Sequence, residues 1–162
     1  MHEIEFSYVG VWHGCRISAA LESLRNEWQN TPPSWGASID PCGTPWEGVA
    51  CINSRVTALD LSFNKDLTGS ISPALGDLQN LSILILAGCG FSGSIPEQLG
   101  NLSNLSFLAL NSNNFTGTIP PSLGKLSNLY WLDLADNQLT GSLPVSTSET
   151  PGLDLLLKAK HL

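Results

Sequence analysis

Four in-phase copies of one phrase begin at Val56, Leu81, Leu105 and Leu129, at steps of 25, 24 and 24 residues. They read VTALDLSFNKDLTGSISPALGDLQN, LSILILAGCGFSGSIPEQLGNLSN, LSFLALNSNNFTGTIPPSLGKLSN and LYWLDLADNQLTGSLP. A fixed period of this length means one small unit per copy, too small to bury its own apolar face. Such units are stable only when stacked into a coil around a shared interior.

Each column of the phrase has a physical reading. In the L-x-L part, alternation sends Leu59/Leu61, Leu84/Leu86, Leu108/Leu110 and Leu132/Leu134 inward and the residues between them outward. The strands predicted there pair in parallel with their neighbours. Asn64, Cys89, Asn113 and Asn137 share the column where the chain turns, and a side chain that donates and accepts there can satisfy backbone groups the turn leaves unpaired. Cys89 in that column reads as a buried core thiol. Further on, Leu67/Phe91/Phe115/Leu139 and Ile71/Ile95/Ile119/Leu143 form apolar columns. Gly69, Gly93, Gly117 and Gly141 fall where a tight bend needs the missing Cβ. Leu75/Leu78, Leu99/Leu102 and Leu123/Leu126 close the opposite side on short 3₁₀ turns. The added residue of the first copy, at Lys65-Asp66, reads as a loop insertion.

A stacked array leaves its end leucines bare, so a cap is required. Residues 17–55 supply it. Ser18 is placed to cap a helix running to about Gln29, with Leu21, Leu24 and Trp28 on one face. Trp35 and Trp46 read as core plugs. Cys42 and Cys51 bracket PCGTPWEGVAC, which is too short for a helix and shaped like a closed loop; the alternative is two free thiols nine residues apart.

The phrase L-x-x-L-x-L-x-x-N/C-x-L with its Gly-x-Ile-Pro continuation resembles plant-type leucine-rich repeats. The stretch ALESLRNEWQNTPPSWGASIDPCGTPWEGVAC resembles the N-terminal cap of plant leucine-rich-repeat receptor-like kinases, through Trp28, Trp35, Asp40-Pro41-Cys42, Trp46, Gly48-Val49 and Cys51. The segments NTPPSWG, DPCGTPWEGV, NSRVTALDLS and TPGLDLLLKAKH look most similar to the subfamily with hydrogen-peroxide-sensing members. The reactive cysteines of such sensing fall beyond the repeats present here, so that role is carried onto no residue. The resemblance implies an α/β solenoid, a right-handed leucine-rich-repeat superhelix with short parallel strands on its concave face and a helical, disulfide-bonded N-terminal cap. It divides the chain into an unassigned segment 1–16 unlike the family, a cap 17–55, four repeats 56–144, and an irregular stretch 145–162 where a further repeat starts. Cys15 is left without a partner by this division.

Function classes narrow by composition. Seven Lys+Arg against 14 Asp+Glu give a net charge of −7. Nucleic acid and anionic membranes, which select clustered Lys and Arg, are thereby disfavoured. Only 13% of residues are charged, about half the usual share, and a chain so poor in charge needs another source of solubility. Sugar is one. The sequons at Asn80, Asn101, Asn104 and Asn114 predict N-glycosylation in a secreted parent. His2, His13 and His161 form no metal spacing, and neither a nucleophile–base pair nor a phosphate loop appears, so the chain reads as a non-enzyme without cofactor. The Gly-loop, catalytic-loop and Asp-Phe-Gly signatures of a kinase are absent from it. No apolar run of about 18 residues is available to span a bilayer, and the N-terminus, with Glu3 and Glu5, does not read as a secretory signal.

The sequons avoid the L-x-L strands and so leave the concave face bare. One outward column reads Ala58, Ile83, Phe107, Trp131, joined by Ile85, an apolar ladder suited to a partner. Asp60, Asp133 and Asp136 beside it are placed to accept from a basic peptide. The expectation is a peptide- or ectodomain-binding surface on the extracellular face of the plasma membrane, belonging to a receptor-like kinase whose span and kinase lie outside this chain. The alternatives are a soluble apoplastic repeat protein, such as a polygalacturonase inhibitor, and an inactive truncated product.

Overall fold

The structure, a computed structural model, describes residues 15–144, with side chains from Ala19 onward. The expectations for the segments 1–14 and 145–162 and for the Cys15 thiol lie outside that range.

The cap opens on helix α1, Cys15–Glu27, so Ser18 sits inside the first turn and not at the N-cap as its side-chain chemistry suggests. No Gly or Pro between Cys15 and Glu27 stops the helix from starting earlier. It ends sooner than Gln29 because the sheet captures the chain: Gln29 N donates to Thr68 O at 2.8 Å and Thr68 N returns the bond to Gln29 O at 3.2 Å. The inward face of α1 carries Leu21 and Leu24, and Trp28, the residue after its end, joins them; all three are buried. A 3₁₀ turn over Pro33–Gly36 then plants Trp35 in the core.

A hairpin closes the cap. Strands β1 (Val49–Ile52) and β2 (Arg55–Asp60) pair antiparallel across Asn53-Ser54, both at positive φ (51° and 56°). That pair of conformations is the one a two-residue hairpin turn needs to match strand twist. The Cys42–Cys51 bridge is present, with Cα atoms 5.6 Å apart. It ties the Trp46 loop to β1.

From β2 onward each repeat holds two strands, one for each of two sheets; after β2 come β3 (Thr68–Gly69), β4 (Ile83–Ile85), β5 (Gly90–Ser94), β6 (Phe107–Ala109), β7 (Asn114–Gly117), β8 (Trp131–Asp133) and β9 (Gln138–Leu139). These build two sheets, ordered β1-β2-β4-β6-β8 and β3-β5-β7-β9. The first is the expected concave sheet, in which Leu59, Leu84, Leu108 and Leu132 stand in register and are 0–2% exposed. The second sheet goes beyond the tight bend read from sequence. Its signal is the alternation in FSGSI and FTGTI, where Phe91, Ile95 and Phe115 point in and Ser92, Ser94, Thr116 and Thr118 point out. The glycines keep their predicted role: Gly93, Gly117 and Gly141 lie at φ 83°, 78° and 83°. On the far side the repeats turn through 3₁₀ segments at Pro73–Asp77, Glu97–Asn101 and Pro121–Lys125, which bury Leu75, Leu99 and Leu123.

Burial is graded along the coil. In the column Ile71/Ile95/Ile119/Leu143 the first two are buried and Ile119 is half-buried, whereas Leu143 is 47% exposed. Leu143 therefore departs from its reading as a core residue, because the described coil places no following rung over it.

Candidate ligand-binding face

The turn column does not act uniformly. Asn113 accepts from Phe91 N at 3.0 Å and donates to Leu86 O and Leu110 O at 2.7 and 3.1 Å. Asn137 repeats this one rung on, accepting from Phe115 N and donating to Leu110 O and Leu134 O. Each asparagine thus ties its own rung to the one before it. Cys89 offers less, with its Sγ donating to Leu61 O at 3.2 Å. Asn64 makes no side-chain bond of this kind among the described residues, having only the cap before it. Cys89 is also half-buried, not sealed in the core as read from sequence. Burial still pushes its thiol above the ordinary range, ahead of the opposing Asn64 backbone bond and of Asp60, whose negative charge raises it further. That is the direction of an unreactive thiol.

The outward rows of the concave sheet are set by strand register. Ala58 pairs with Ile83, Ile83 with Phe107 and Phe107 with Trp131, so the predicted ladder is real as a line. It is extended at its start by Ala50 of β1, opposite Ala58. Phe107 and Trp131 stack at 5.4 Å with 8° between their planes, and Tyr130, 72% exposed, meets Phe107 edge-on at 6.1 Å. Part of the ladder therefore packs on itself while keeping an accessible side. Ile83 is 36% exposed and Ile85 half-buried.

A second row runs Asp60, Ile85, Ala109, Asp133. The two aspartates at its ends are partly occupied. Asp60 Oδ1 accepts from Ser62 N at 3.0 Å, and Asp133 Oδ1 accepts from Ala135 N at 3.1 Å. Each carboxylate therefore caps the end of its strand with one oxygen. Asp136 Oδ2 accepts from Ser112 Oγ at 3.4 Å. Ala109 in this row and Ala87 just past β4 are only 5% exposed. Phe63 stands in the turn that follows β2. Its ring is 74% exposed and its φ is +60°, and for a bulky residue that conformation is an outlier.

The four sequon asparagines are all exposed and stand apart from the concave rows. Asn104 Nδ2 donates to Gln79 O at 2.8 Å. Among the described residues no group of His, Cys, Asp and Glu could hold a metal ion, and no helix is long and apolar enough to cross a membrane.

A coil of short parallel strands with a capped end and a bare strand face defines a leucine-rich-repeat solenoid. A family profile described as Leucine Rich Repeat matches residues 80–102, 104–126 and 128–149. A leucine-rich repeat receptor-like protein kinase of Arabidopsis thaliana is 44% identical over 70 residues, which is 43% of this chain and 7% of that protein. The solved BIR2 ectodomain of Arabidopsis thaliana superposes with a TM-score of 0.72 at 33% identity, over 78% of this chain and 70% of its own. The Arabidopsis receptor kinase HAESA, solved with the peptide hormone IDA and the co-receptor SERK1, gives a TM-score of 0.55 at 29% identity, over 80% of this chain and 26% of its own. The chain belongs to the leucine-rich-repeat family of plant receptor-kinase ectodomains. It spans 7% of the length of that curated kinase.

Proposed function

We propose that this chain is the cap-proximal part of an extracellular ligand-binding region in a plant receptor-like serine/threonine kinase, and that it contacts a peptide or a second ectodomain through its concave face. The observation that carries the reading is the row Ile83–Phe107–Trp131. An aligned apolar and aromatic row on a solvated sheet face is disfavoured in water and is typical of a contact surface. Asp60, Asp133 and Asp136 supply acceptors at the margins, and Ile85 continues the apolar floor. HAESA, a structural relative, is solved with both a peptide and a co-receptor, which supports both partner types. The sequons at Asn80, Asn101, Asn104 and Asn114 lie off its rows, so glycans on them would leave the face open, in keeping with display outside the cell.

The reading is tested by panning a random linear dodecapeptide library on the immobilised 162-residue chain and measuring selected peptides by calorimetry. Phe107→Ala and Trp131→Ala each weaken binding about tenfold or more, as truncation of an aromatic anchor does, without lowering the melting temperature enough to unfold the chain. Selected peptides whose affinity neither substitution alters would place the contact elsewhere.

A further inference from the structure

The outer face of the second sheet carries no charge. The strand positions of β3, β5, β7 and β9 hold no Lys, Arg, Asp or Glu, and their outward side chains end in hydroxyls and amides. Register sets Ser92 of β5 beside Asn114 of β7, and Ser94 beside Thr116. All four are exposed, and strand geometry spaces them about 4.8 Å across and about 7 Å along the strands. The hydroxyls of Ser92, Ser94 and Thr116 make no hydrogen bond among the described residues. Gly93 keeps the ground between them flat: beyond its chain neighbours, a Cβ there would meet only Ser70 Cβ, at 3.7 Å.

Among the described residues, only Asn114 opens a sequon inside a strand. Asn101 ends a 3₁₀ segment, and Asn80 and Asn104 lie in the turns after two of them. Asn104 already commits its Nδ2 to Gln79 O. Asn128, its equivalent one rung on and outside any sequon, gives its own to Ser103 O at 2.8 Å. That column is a tie between rungs. Asn114 has no such duty. Its Oδ1 accepts from Gln138 Nε2 at 3.5 Å, which turns Nδ2, the atom through which a sugar attaches, away from β9 and toward β5.

Building on the extracellular reading above, we propose that Asn114 carries an N-linked glycan whose first sugars lie across β5, on Ser92, Ser94 and the flat Gly93 between them. Sugar rings present hydroxyls and an N-acetyl group, and side-chain hydroxyls that both donate and accept suit them. Each such bond is worth little in water. The covalent link offsets that weakness, because a tethered group sits at an effective concentration on the order of millimolar. The seat has a structural use. Strands β5 and β7 are rich in Gly, Ser and Asn, residues with little strand preference, and a sugar laid over them holds the pair together. It also leaves the concave sheet as the uncovered sheet face of the coil.

The test expresses the 162-residue chain behind a secretory leader in insect cells and maps glycan occupancy by mass spectrometry. Asn114 should be occupied. Asn114→Gln and Thr116→Ala each abolish the sequon, and each should lower the melting temperature of the secreted chain by about 2–4 °C, the shift usual for one net hydrogen bond at this chain length. The same substitutions in chain refolded from bacteria, which bears no glycan, should change it less. Ser92→Ala/Ser94→Ala should leave Asn114 occupied but erase the difference in melting temperature between the glycosylated and bare chains. If Asn80, Asn101 or Asn104 is occupied and Asn114 is bare, the site is wrong and the extracellular reading stands. If no sequon is occupied, both fail. If Asn114 is occupied but its loss leaves the melting temperature unchanged, or if Ser92→Ala/Ser94→Ala leaves the glycan's effect intact, the seat on β5 is wrong.

Discussion

Trp28, just past the cap helix, meets Phe91 of the second repeat edge-on, with ring centroids 4.8 Å apart and planes at 61°. It reaches past the first repeat, whose own residue in that column is Leu67. Trp46, Trp35, Trp28, Phe91 and Phe115 thereby form one line of ring contacts, at 5.0, 5.7, 4.8 and 6.4 Å. Trp28 also donates from Nε1 to Ser70 O at 2.7 Å. Trp28 therefore fastens the cap to the coil by both ring packing and a hydrogen bond, next to the paired Gln29–Thr68 backbone bonds.

Trp28→Ala should remove about 3–5 kcal/mol of stability, the usual range for deleting a buried Trp, and Trp28→Phe distinctly less. Urea unfolding followed by far-ultraviolet circular dichroism measures both. A loss under about 1 kcal/mol for Trp28→Ala, within the scatter of ordinary surface changes and small repackings, would mean the cap is held chiefly by something else.

Much of this was legible because the period repeats the same physical demand four times. The inward leucines, the bend glycines, the 3₁₀ turns and the line Ala58–Ile83–Phe107–Trp131 follow from alternation and phase alone. What escaped did so for local reasons. The second sheet hides in two- to five-residue strands rich in Gly and Ser, residues with little strand preference, and neighbours rather than propensity make them strands. Ser18 misled because a good capping side chain does not cap when the helix continues through it. Asn64 shares a letter with Asn113 but lacks a preceding rung to bond. Phe63 looked like any turn residue until its backbone angle and exposure were known together.

That difference between asparagines is measurable. Asn113→Ala takes the side-chain partner from Phe91 N and Leu86 O, in a site where Asn113 itself is 7% exposed, while Leu110 O keeps its bond from Asn137. A buried group left unpaired costs about 1–3 kcal/mol, so the loss should fall at or above the upper end of that range. Asn64→Ala should stay within about 0.5 kcal/mol, as a surface change does. Equal losses at the two positions in chemical denaturation would contradict the ladder.

The Cys42–Cys51 bridge closes a short loop around Trp46. On the chain-entropy account its removal by Cys42→Ser/Cys51→Ser should lower stability by about 2.7 kcal/mol. The comparison is of urea midpoints, with the denaturant slope checked for a change in the unfolded state. No change in midpoint would mean the loop is held by Trp35 and Trp46 alone.

Cys89 is the one free thiol among the described side chains, and burial raises its pKa. A raised pKa means the folded chain holds the proton more tightly than the unfolded one. Its contribution is therefore complete below the unfolded thiol pKa and is lost as pH climbs through the higher folded value. Labelling of Cys89 by iodoacetamide at neutral pH, read by peptide mapping so that Cys15 is scored apart, should be slow in the native chain and fast in urea. Native labelling as fast as that of a free thiol would refute the assignment.

Phe63→Asn should raise stability by about 1 kcal/mol, the lower end of what a strained non-glycine conformation stores, read as a higher melting temperature. An unchanged or lower melting temperature would show that the exposed ring earns its place by packing on Gly88.

Hydroxyl-radical footprinting of the chain, alone and with a library-selected peptide, tests the binding face most directly, since it reads side chains one by one. Phe107, Tyr130 and Trp131 should lose reactivity on binding, while Trp35 and Trp46, 0% and 1% exposed, should stay unreactive in both states. Protection that leaves those three rings untouched and appears instead on the second sheet or the 3₁₀ side would contradict a ligand-binding concave face.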